Sequence, residues 1–557
     1  MNHGERCPAL VPGVAFRWVA LFAMMFMATR QALADMEEPD DGYPSFAQLQ
    51  DAGAVVGEIR IVTDNIFDTE DPQENYFLFR LANALHVRTR PGTIEGTLLF
   101  KSGEPLSVRL IEESERLLRS NRYLYDVSIR PVGWHDGIAD IEVRTRDTWT
   151  LDPGLSLGRA GGENSSGISL KEYNFLGTGI ALGVSRMSNV DSKGTQFDVA
   201  TDHALDGWTQ IGYSYATLDD GESQAFKFGR PFYALDTRWA AGISVAKDDR
   251  IDAVYNGGEV IGEYRHAQES AEVYGGWSRG LVDGWARRYS LGLSYQDDVY
   301  GLDPMRAAPP EIPTDQKTVG PFLRYEITED SYEKFKNRNL IERTEYFLTG
   351  FSSSLQLGRA FTGLGSSRDL WLYSGAVGNG YEFAGDHNLQ LAGSFSGQYG
   401  DGKGERQLVS GSARYYRPQG PRTLFYAAAS ADAVHNPEIN DLLLLGGDNG
   451  LRGYPLRYQS GERRVLFTLE ERVYTDWYPF RLFRVGGAVF FDHGRAWGGD
   501  FQNAANPGWL SDVGFGLRLL SARSAFGNVL HADVAFPLNA DPTIDSVQFL
   551  LKTKASF

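Results

Sequence analysis

The last residues of the chain, Val547-Gln-Phe-Leu-Leu-Lys-Thr-Lys-Ala-Ser-Phe557, indicate its fold. Side chains on an extended strand alternate between two faces. One face is apolar and carries Val547, Phe549, Leu551, Thr553, Ala555 and Phe557, while the other carries Gln548, Lys552, Lys554 and Ser556, with Leu550 as the exception. An apolar face toward lipid and a polar face toward the lumen are typical of strands in outer-membrane barrels. We interpret the terminal Phe557 as the assembly signal that bacterial barrel proteins typically carry.

The N-terminus has the pattern of a secretory signal peptide. Arg6 and Arg17 precede the apolar run 18–27, and Ala32-Leu33-Ala34 offers a cleavage site before Asp35. The run is too short for a stable membrane helix, so we predict a signal peptide over 1–34, with a short anchor helix as the alternative. The one cysteine lies inside this segment. We therefore expect no disulfide and no thiol chemistry in the mature chain.

Composition narrows the class of protein. The sequence has no second run of about 18 apolar residues, which argues against a helical membrane protein. The formal net charge is −18, which argues against general nucleic-acid binding. Mean hydropathy is only −0.32. A membrane barrel can be this polar because half of its strand residues face water.

The segment before residue 149 differs from the rest of the chain in its pattern of apolar and polar residues. Residues 35–54 read as an acidic linker. Residues 55–148 then predict, in order, a strand at 55–62, a helix around 74–86, a helix at 108–120, and a hairpin formed by 123–130 and 138–144. This order predicts a small α+β module over 55–148.

Residues 149–557 carry short alternating segments separated by turn residues, without a convincing helix. Leu389, Leu391 and Phe395, for example, alternate with serine, alanine and glutamine. This length is far more than a sandwich domain needs and suits a transmembrane antiparallel barrel. We predict 16 strands, with up to 20 allowed, because alternation is a weak signal in each strand.

One Gly-rich stretch, Leu442-Leu-Leu-Leu-Gly-Gly-Asp-Asn-Gly-Leu-Arg-Gly-Tyr-Pro455, contains the motif Leu451-Arg452-Gly453-Tyr454. This motif resembles the loop motif of the BamA/TamA and two-partner-secretion superfamily, the bacterial surface antigen barrels. The stretches 172–179 and 489–497 are similar to barrel segments of that family, and the α+β module resembles a single POTRA domain. The resemblance covers essentially the whole mature chain. It implies a barrel that handles polypeptides without nucleotide or cofactor.

Two acids are candidate partners of the motif. Glu470 lies on the strand face opposite Val465, Phe467 and Leu469, and Asp492 lies opposite Val489 and Phe491. Alternation therefore places both carboxylates in the lumen, where an unpaired charge is costly and a guanidinium is a suitable partner. In the family, the motif loop folds back into the barrel and its arginine meets such acids. The resemblance thus implies that Arg452 pairs with Asp492, with Glu470 nearby. The alternative is that Arg452 caps a surface loop and the acids line the pore. Gly453 would allow backbone conformations closed to other residues, with a plain turn glycine as the alternative.

No enzyme motif competes with this interpretation. There is no Gly-x-Ser-x-Gly elbow and no His-Glu-x-x-His, and the histidines show no metal-ligand spacing. His493 follows Asp492 on a strand, so the two side chains point to opposite faces. We therefore expect no enzymatic activity, no metal and no cofactor.

The resemblance implies an outer-membrane protein whose POTRA-like module is in the periplasm. Its sheet edge would bind an unfolded or extended polypeptide client, which the barrel then inserts or exports. Outer-membrane lipid and a periplasmic or inner-membrane protein are the further partners it implies. The alternative function is a passive porin or a structural surface antigen, which leaves the module and the motif unexplained.

Overall fold

The computed structural model of the protein describes residues 43–189, 192–383, 386–499, 508–525, 527–539, 541–542 and 544–554. The predicted signal peptide and the terminal Phe557 lie outside these residues. The described chain begins with an α+β module and continues into a closed barrel.

The module is a three-stranded sheet covered by helices. It contains α1 (Phe46–Asp51), α2 (Phe77–Leu85), α3 (Pro91–Glu95), α4 (Val108–Ser120), β1 (Val55–Asp64), β2 (Leu124–His135) and β3 (Ile138–Asp147). The central strand β3 pairs parallel with β1 and antiparallel with β2. Ile111 and Leu118 of α4 are buried with Val127 and Ile141 of the sheet. Within the described residues, no helix is long and apolar enough to cross a membrane.

The segment predicted as an acidic linker contains α1. Ser45 and Gln48 form a capping box at its N-terminus, and Leu49 is only 1% exposed within the module core. The acidic composition of 35–54 led to the prediction of a linker instead of a helix. The spacing Ser45-x-x-Gln48 is a helix-start signal from which the helix could have been predicted. The described part of this segment is therefore integrated into the module.

The barrel strands follow in chain order, together with two short hairpins. The strands are β4 (Leu151–Ala160), β5 (Glu163–Phe175), β6 (Ile180–Ser188), β7 (Lys193–Ala204), β8 (Thr209–Leu218), β9 (Glu222–Arg230), β10 (Trp239–Asn256), β11 (Glu259–Val282), β12 (Trp285–Leu302), β13 (Gln316–Glu329), β14 (Tyr332–Lys336), β15 (Thr344–Leu348), β16 (Phe351–Ala360), β17 (Leu370–Phe383), β18 (His387–Gly400), β19 (Lys403–Gly420), β20 (Thr423–His435), β21 (Leu443–Leu445), β22 (Gln459–Gly461), β23 (Arg463–Tyr474), β24 (Phe483–Trp497), β25 (Leu510–Ser521), β26 (Val529–Pro537) and β27 (Gln548–Lys554). The pairs β14–β15 and β21–β22 are separate from the barrel.

The barrel has 20 antiparallel strands, so the predicted number of 16 is wrong. Several strands are joined by turns of only two residues, such as Gly257-Gly258 between β10 and β11, both with positive φ. Such tight turns leave little sequence to mark the end of a strand. The many small side chains on the inner face blur the alternation further.

Alternation along the strands separates an apolar outer face from the lumen. The outward side chains include Leu291, Leu357 and Phe549, which are 66%, 45% and 56% exposed. On β27, Gln548 and Leu550 point inward and are 5% and 3% exposed. The face assignment made from the terminal sequence therefore agrees with the structure, including Leu550 as the exception.

Adjacent residues of β16 test which face meets lipid. We expect Leu357→Arg to destabilise the barrel in lipid vesicles by about 2–4 kcal/mol if the site is near the bilayer midplane. Gln356→Glu should be tolerated, because Gln356 lines a lumenal cavity of about 320 Å³ and accepts a hydrogen bond of 2.8 Å from Arg324, which a carboxylate can also accept. Urea titrations of the folded protein in vesicles measure both. A larger loss for Gln356→Glu would contradict the assignment of the two faces.

The role of α1 predicts how the isolated module behaves. We expect a fragment of residues 43–148 to unfold cooperatively, and Leu49→Ala to lower its free energy of unfolding by about 2–5 kcal/mol, because the change leaves a cavity in the core. Asp51→Ala on the exposed side of the same helix is the control, with an expected effect within about 0.5 kcal/mol. Equal stabilities for fragments 43–148 and 55–148 would show that α1 is dispensable.

Candidate functional site

The connection between β20 and β23, residues 436–462, folds into the barrel, and we call it the motif loop. It contains the β21–β22 hairpin and the motif Leu451–Tyr454. Leu451 and Tyr454 are fully buried and pack with Leu445 against Ala496 and Leu510, which are inward-facing residues of β24 and β25. The sequence therefore places a loop inside the lumen by giving its turn an apolar surface.

Arg452 lies at the centre of a buried ion-pair network. Its Nε and Nη2 atoms donate to Asp492 at 2.6 and 2.9 Å, and its Nη1 donates to Glu470 at 2.9 Å. The guanidinium also lies 3.4 Å from the ring centroid of Phe490. The structure thus brings together the arginine and both of the acids that the sequence analysis selected. This fork geometry uses the planar donors of an arginine, which a lysine does not have.

Strand register explains why the two acids meet. Thr468 lies directly opposite Asp492, and Glu470 lies opposite Phe490, so all four side chains point into the lumen. Thr468 donates a hydrogen bond of 2.8 Å to Asp492. Both acids are consequently held in place by neighbouring strands of the barrel wall.

Gly453 is required for a close approach rather than for an unusual backbone conformation. Gly453 is not among the described glycines with positive φ, so it does not use the conformational freedom that a glycine allows. A Cβ atom at this position would lie 2.7 Å from the Cβ of Asp512, and the Gly453 N–H donates to the Asp512 carboxylate at 3.1 Å. The adjacent Tyr454 hydroxyl donates to the Ser511 carbonyl at 2.9 Å. The motif is thereby fixed to β25 as well as to β23 and β24.

Further lumenal charges that the sequence analysis missed complete the network. Arg472 contacts Glu470 at 2.8 Å, Arg518 forms an ion pair with Asp533, and Asp533 lies 3.7 Å from Arg452. The same alternation argument on β25 and β26 would have placed Asp512, Arg518 and Asp533 in the lumen. Arginines and carboxylates are thus paired in this part of the lumen, and the pairing lowers the cost of burying them.

A second segment enters the lumen from the end of the barrel that contacts the module. This plug hairpin, β14–β15, has its tip at residues 337–342. Ile341 at the tip is fully buried and packs in a cluster with Tyr416, Leu424, Tyr474, Ala488, Leu520 and Val529. Glu345 accepts the backbone N–H groups of residues 338–340 at 3.0–3.1 Å. Burial raises the pKa of the Glu345 carboxyl, while those N–H groups act in the opposite direction.

Arg472 connects the motif loop to the plug hairpin. Its Nε donates to Glu470, and its Nη1 donates to the carbonyl of Arg338 at the hairpin tip at 2.8 Å. Because Glu470 also binds Arg452, one continuous chain of charged contacts runs between the two segments in the lumen. A displacement of the plug hairpin would remove the carbonyl acceptor of Arg472, and a displacement of the motif loop would remove Arg452 from Glu470 and Asp492.

The plug hairpin also contacts the module. Lys334 lies 3.1 Å from Glu115 of α4, and the Arg116 guanidinium lies 3.6 Å from the ring centroid of Tyr332. Arg343 donates to the Leu124 carbonyl at the start of β2 at 3.3 Å. The module, the plug hairpin and the Arg452 network are thus physically contiguous, which is the precondition for coupling between them.

The stretch 172–179 forms the turn on which the module docks. Asn174 donates to Thr89 at 2.8 Å and accepts from the Gly179 N–H at 2.6 Å. Thr89 in turn binds the fully buried Asp147, which also contacts His86 at 2.9 Å. A buried ion pair between Glu74 of the module and Arg523 of the β25–β26 turn is a second anchor. The sequence analysis singled out this stretch only by resemblance, and the contacts give it a structural role.

His493 takes no part in this network. Its ring points to the outer face, stacks on Trp509 with centroids 4.7 Å apart, and lies 2.7 Å from the Ser511 hydroxyl. In the part of the chain that the structure describes, no group of three or more His, Cys, Asp or Glu residues is arranged to hold a metal ion.

In comparisons by sequence, no protein-family model and no curated protein matches the chain. Among solved structures, it is similar to BamA from Haemophilus ducreyi lacking POTRA domains 1-3, with 15% identity over 89% of this chain and 84% of that chain and a TM-score of 0.37. It is also similar to CdiB from Acinetobacter baumannii, with 12% identity, 96% coverage of both chains and a TM-score of 0.40. CdiB from Escherichia coli shares 13% identity over 90% of this chain and 76% of that chain, with a TM-score of 0.44. Likeness at this level concerns the fold, and function is argued below from the geometry of this chain.

The network predicts that Arg452 and Arg457, which both lie in the motif loop, contribute unequally to the stability of the folded barrel. We expect Arg452→Ala to destabilise the folded barrel by about 3–5 kcal/mol, because it removes the guanidinium that Asp492 binds and leaves Glu470 with Arg472 alone. Arg457 lies 3.8 Å from Asp448 and is more exposed, so Arg457→Ala should cost far less. Heat-modifiable gel mobility and single-channel conductance in planar bilayers measure folding and closure of the lumen. Arg452→Lys should retain only part of the folding and of the closure of the lumen. Equal effects of Arg452→Ala and Arg457→Ala on gel mobility and conductance would contradict a special role for Arg452.

Proposed function

We propose that this chain is an outer-membrane barrel of the assembly or translocation type, with its module in the periplasm and polypeptides as clients. The observation that carries the proposal is the seam between β27 and β4. Among the described residues, these strands are joined at one residue pair, Leu551 and Arg159, whereas β4 and β5 are joined over ten. Fewer pairs of described residues hold this seam than hold the neighbouring pair of strands, so we infer that the barrel opens at this seam.

The motif loop lies beside both strands of the seam. The Lys552 ammonium of β27 donates to the Asp448 carbonyl of the loop at 2.9 Å. On the other side, a Cβ atom on Gly161 in the β4–β5 turn would collide with the backbone of Pro455 and Leu456. Opening of the seam would move these contacts apart, and the Arg452 network is therefore well placed to hold the barrel in its closed state.

The two segments in the lumen disfavour a passive porin. A porin needs a water-filled passage, whereas here the motif loop and the plug hairpin enter from opposite ends and meet at Arg472. A structural surface antigen would have no use for a buried, charge-balanced network, whose burial is costly. A transporter that must stay closed until a client arrives does have such a use.

The module supports a role in client capture. Its two longer helices and three strands follow one another in the order that the sequence predicts for the α+β module. The edge strands β1 and β2 leave backbone groups to which an extended polypeptide can add as a further strand. Pro131 and two irregular positions in β2 interrupt one edge, which limits unwanted pairing between modules. The proposal includes outer-membrane lipid and a further periplasmic or inner-membrane protein as partners, and it includes no enzymatic step.

A disulfide across the seam tests lateral opening. In a Cys7→Ser background we expect Arg159→Cys with Leu551→Cys, once oxidised, to stop the protein from inserting an unfolded eight-stranded barrel protein into proteoliposomes. The two positions lie directly opposite each other on antiparallel strands, which suits a disulfide. Protease protection of the client measures insertion, and reduction should restore it.

The matched control is Leu323→Cys with Leu357→Cys, which pairs outward-facing residues of β13 and β16 on an ordinary strand pair. This disulfide should leave insertion unchanged. If both oxidised variants insert the client at the wild-type rate, the client does not pass through the seam and the lumen becomes the assigned path. If the wild-type protein inserts no more client than empty liposomes do, an insertion function is contradicted.

A further inference from the structure

The helix α2 presents an apolar face to its surroundings rather than to the protein. Its exposed side chains, with those that flank it, are Tyr76 (60% exposed), Phe77 (68%), Leu78 (69%), Leu81 (43%), Leu85 (66%) and Val87 (50%). Positions 77, 78, 81 and 85 follow the spacing of one helix face. A surface helix of a soluble domain normally points its apolar stripe inward, and contiguous exposed apolar patches mark interaction sites.

The opposite side of α2 is fixed to the module. The Phe79 ring stacks on Phe67 with centroids 4.1 Å apart. The Asn83 side chain bonds to the Phe67 backbone twice, at 3.1 Å and 2.8 Å. These contacts fix the rotation of α2 about its axis, because turning the helix would break them. The apolar face is therefore held outward.

The helix stands at the rim of the barrel. Trp149 and Leu482 pack on the Phe67–Phe79 cluster, and the neighbouring Glu74 pairs with Arg523 in the β25–β26 turn. Leu482 belongs to the β23–β24 turn, in which Trp477 and Phe480 are 66% and 79% exposed. The apolar face of α2 thus continues the apolar outer surface of the barrel at the end that contacts the module.

Size and charge indicate what covers this face. Nine residues make a helix about 13 Å long, too short to cross a hydrocarbon core of about 30 Å but sufficient to lie along its surface. The helix contains no acidic residue, and Arg80 is its one charged residue. Arg88 and Arg90 follow it and are exposed. These cations suit contact with anionic headgroups at a membrane interface, whereas the segment before the helix carries the exposed acids Asp68 and Glu70.

We propose that α2 lies in the interfacial layer of the leaflet on the module side of the barrel, with Phe77, Leu78, Leu81 and Leu85 among the acyl chains. This contact ties the module to the membrane next to strands β24 to β27 and so fixes its orientation beneath the seam. The inference rests on the proposed membrane location of the barrel, and its test includes a position that reports on that location separately.

Single-cysteine variants of the full-length chain test the proposal. Cys7→Ser removes the one native thiol, and Leu78→Cys, Glu112→Cys or Leu291→Cys then carries an environment-sensitive fluorophore. The protein is folded into vesicles of phosphatidylethanolamine and phosphatidylglycerol that contain lipids with a nitroxide near the headgroup or deep in the acyl chain. Glu112 is exposed on α4 and serves as the water-facing control, while Leu291 reports the outer face of the barrel.

At position 78 we expect blue-shifted emission and stronger quenching by the shallow nitroxide than by the deep one, since interfacial helices insert about 5–10 Å. The probe at 112 should stay unquenched. Emission typical of water at 78, with quenching at 291, would overturn the inference while leaving the membrane barrel intact. Blue-shifted emission at 78 without nitroxide quenching would assign the face to a protein partner or a second copy. Loss of quenching at 291 would contradict the membrane location itself.

Discussion

The structure depends on one guanidinium that is buried inside the barrel. Arg452 can lie in the lumen only because β23 and β24 present Glu470 and Asp492 to it in a fixed register. A charge removed from water without such partners would cost several kcal/mol. The same ion pairs hold the motif loop in the lumen. The side chains of Arg452, Glu470 and Asp492 therefore fix the position of this long connection between β20 and β23.

This arrangement also explains why the lumen is closed by two segments rather than one. The carboxylates attract more than one cation, and Arg472 uses its remaining donors to hold the tip of the plug hairpin. The hairpin reaches the module through Lys334 and Tyr332. The module is therefore connected to Arg452 through the plug hairpin and Arg472.

The parts of this account that the sequence could predict are those governed by strand alternation. Alternation placed Glu470 and Asp492 in the lumen and Phe549 on the outer face, because a side chain on a strand has only two directions. The strand number was underestimated, since two-residue turns such as Gly257-Gly258 leave little sequence between strands. The plug hairpin could not be foreseen, because Ile341 is buried only through partners distant in the chain, such as Tyr416 and Leu520. Helix α1 was not predicted because its neighbours are acidic, although the sequence contains its capping box.

The most direct measurement is a double-mutant cycle on Arg452→Met and Asp492→Asn, with the free energy of unfolding obtained from urea titrations in lipid vesicles. If the ion pair holds the motif loop in place, each single change leaves a buried charge without its partner, and the double change removes both charges. We expect the double variant to be more stable than the sum of the single effects predicts, by more than about 1 kcal/mol. Effects that add within about 0.5 kcal/mol would mean that the two groups act independently, and the central role of this ion pair would be contradicted.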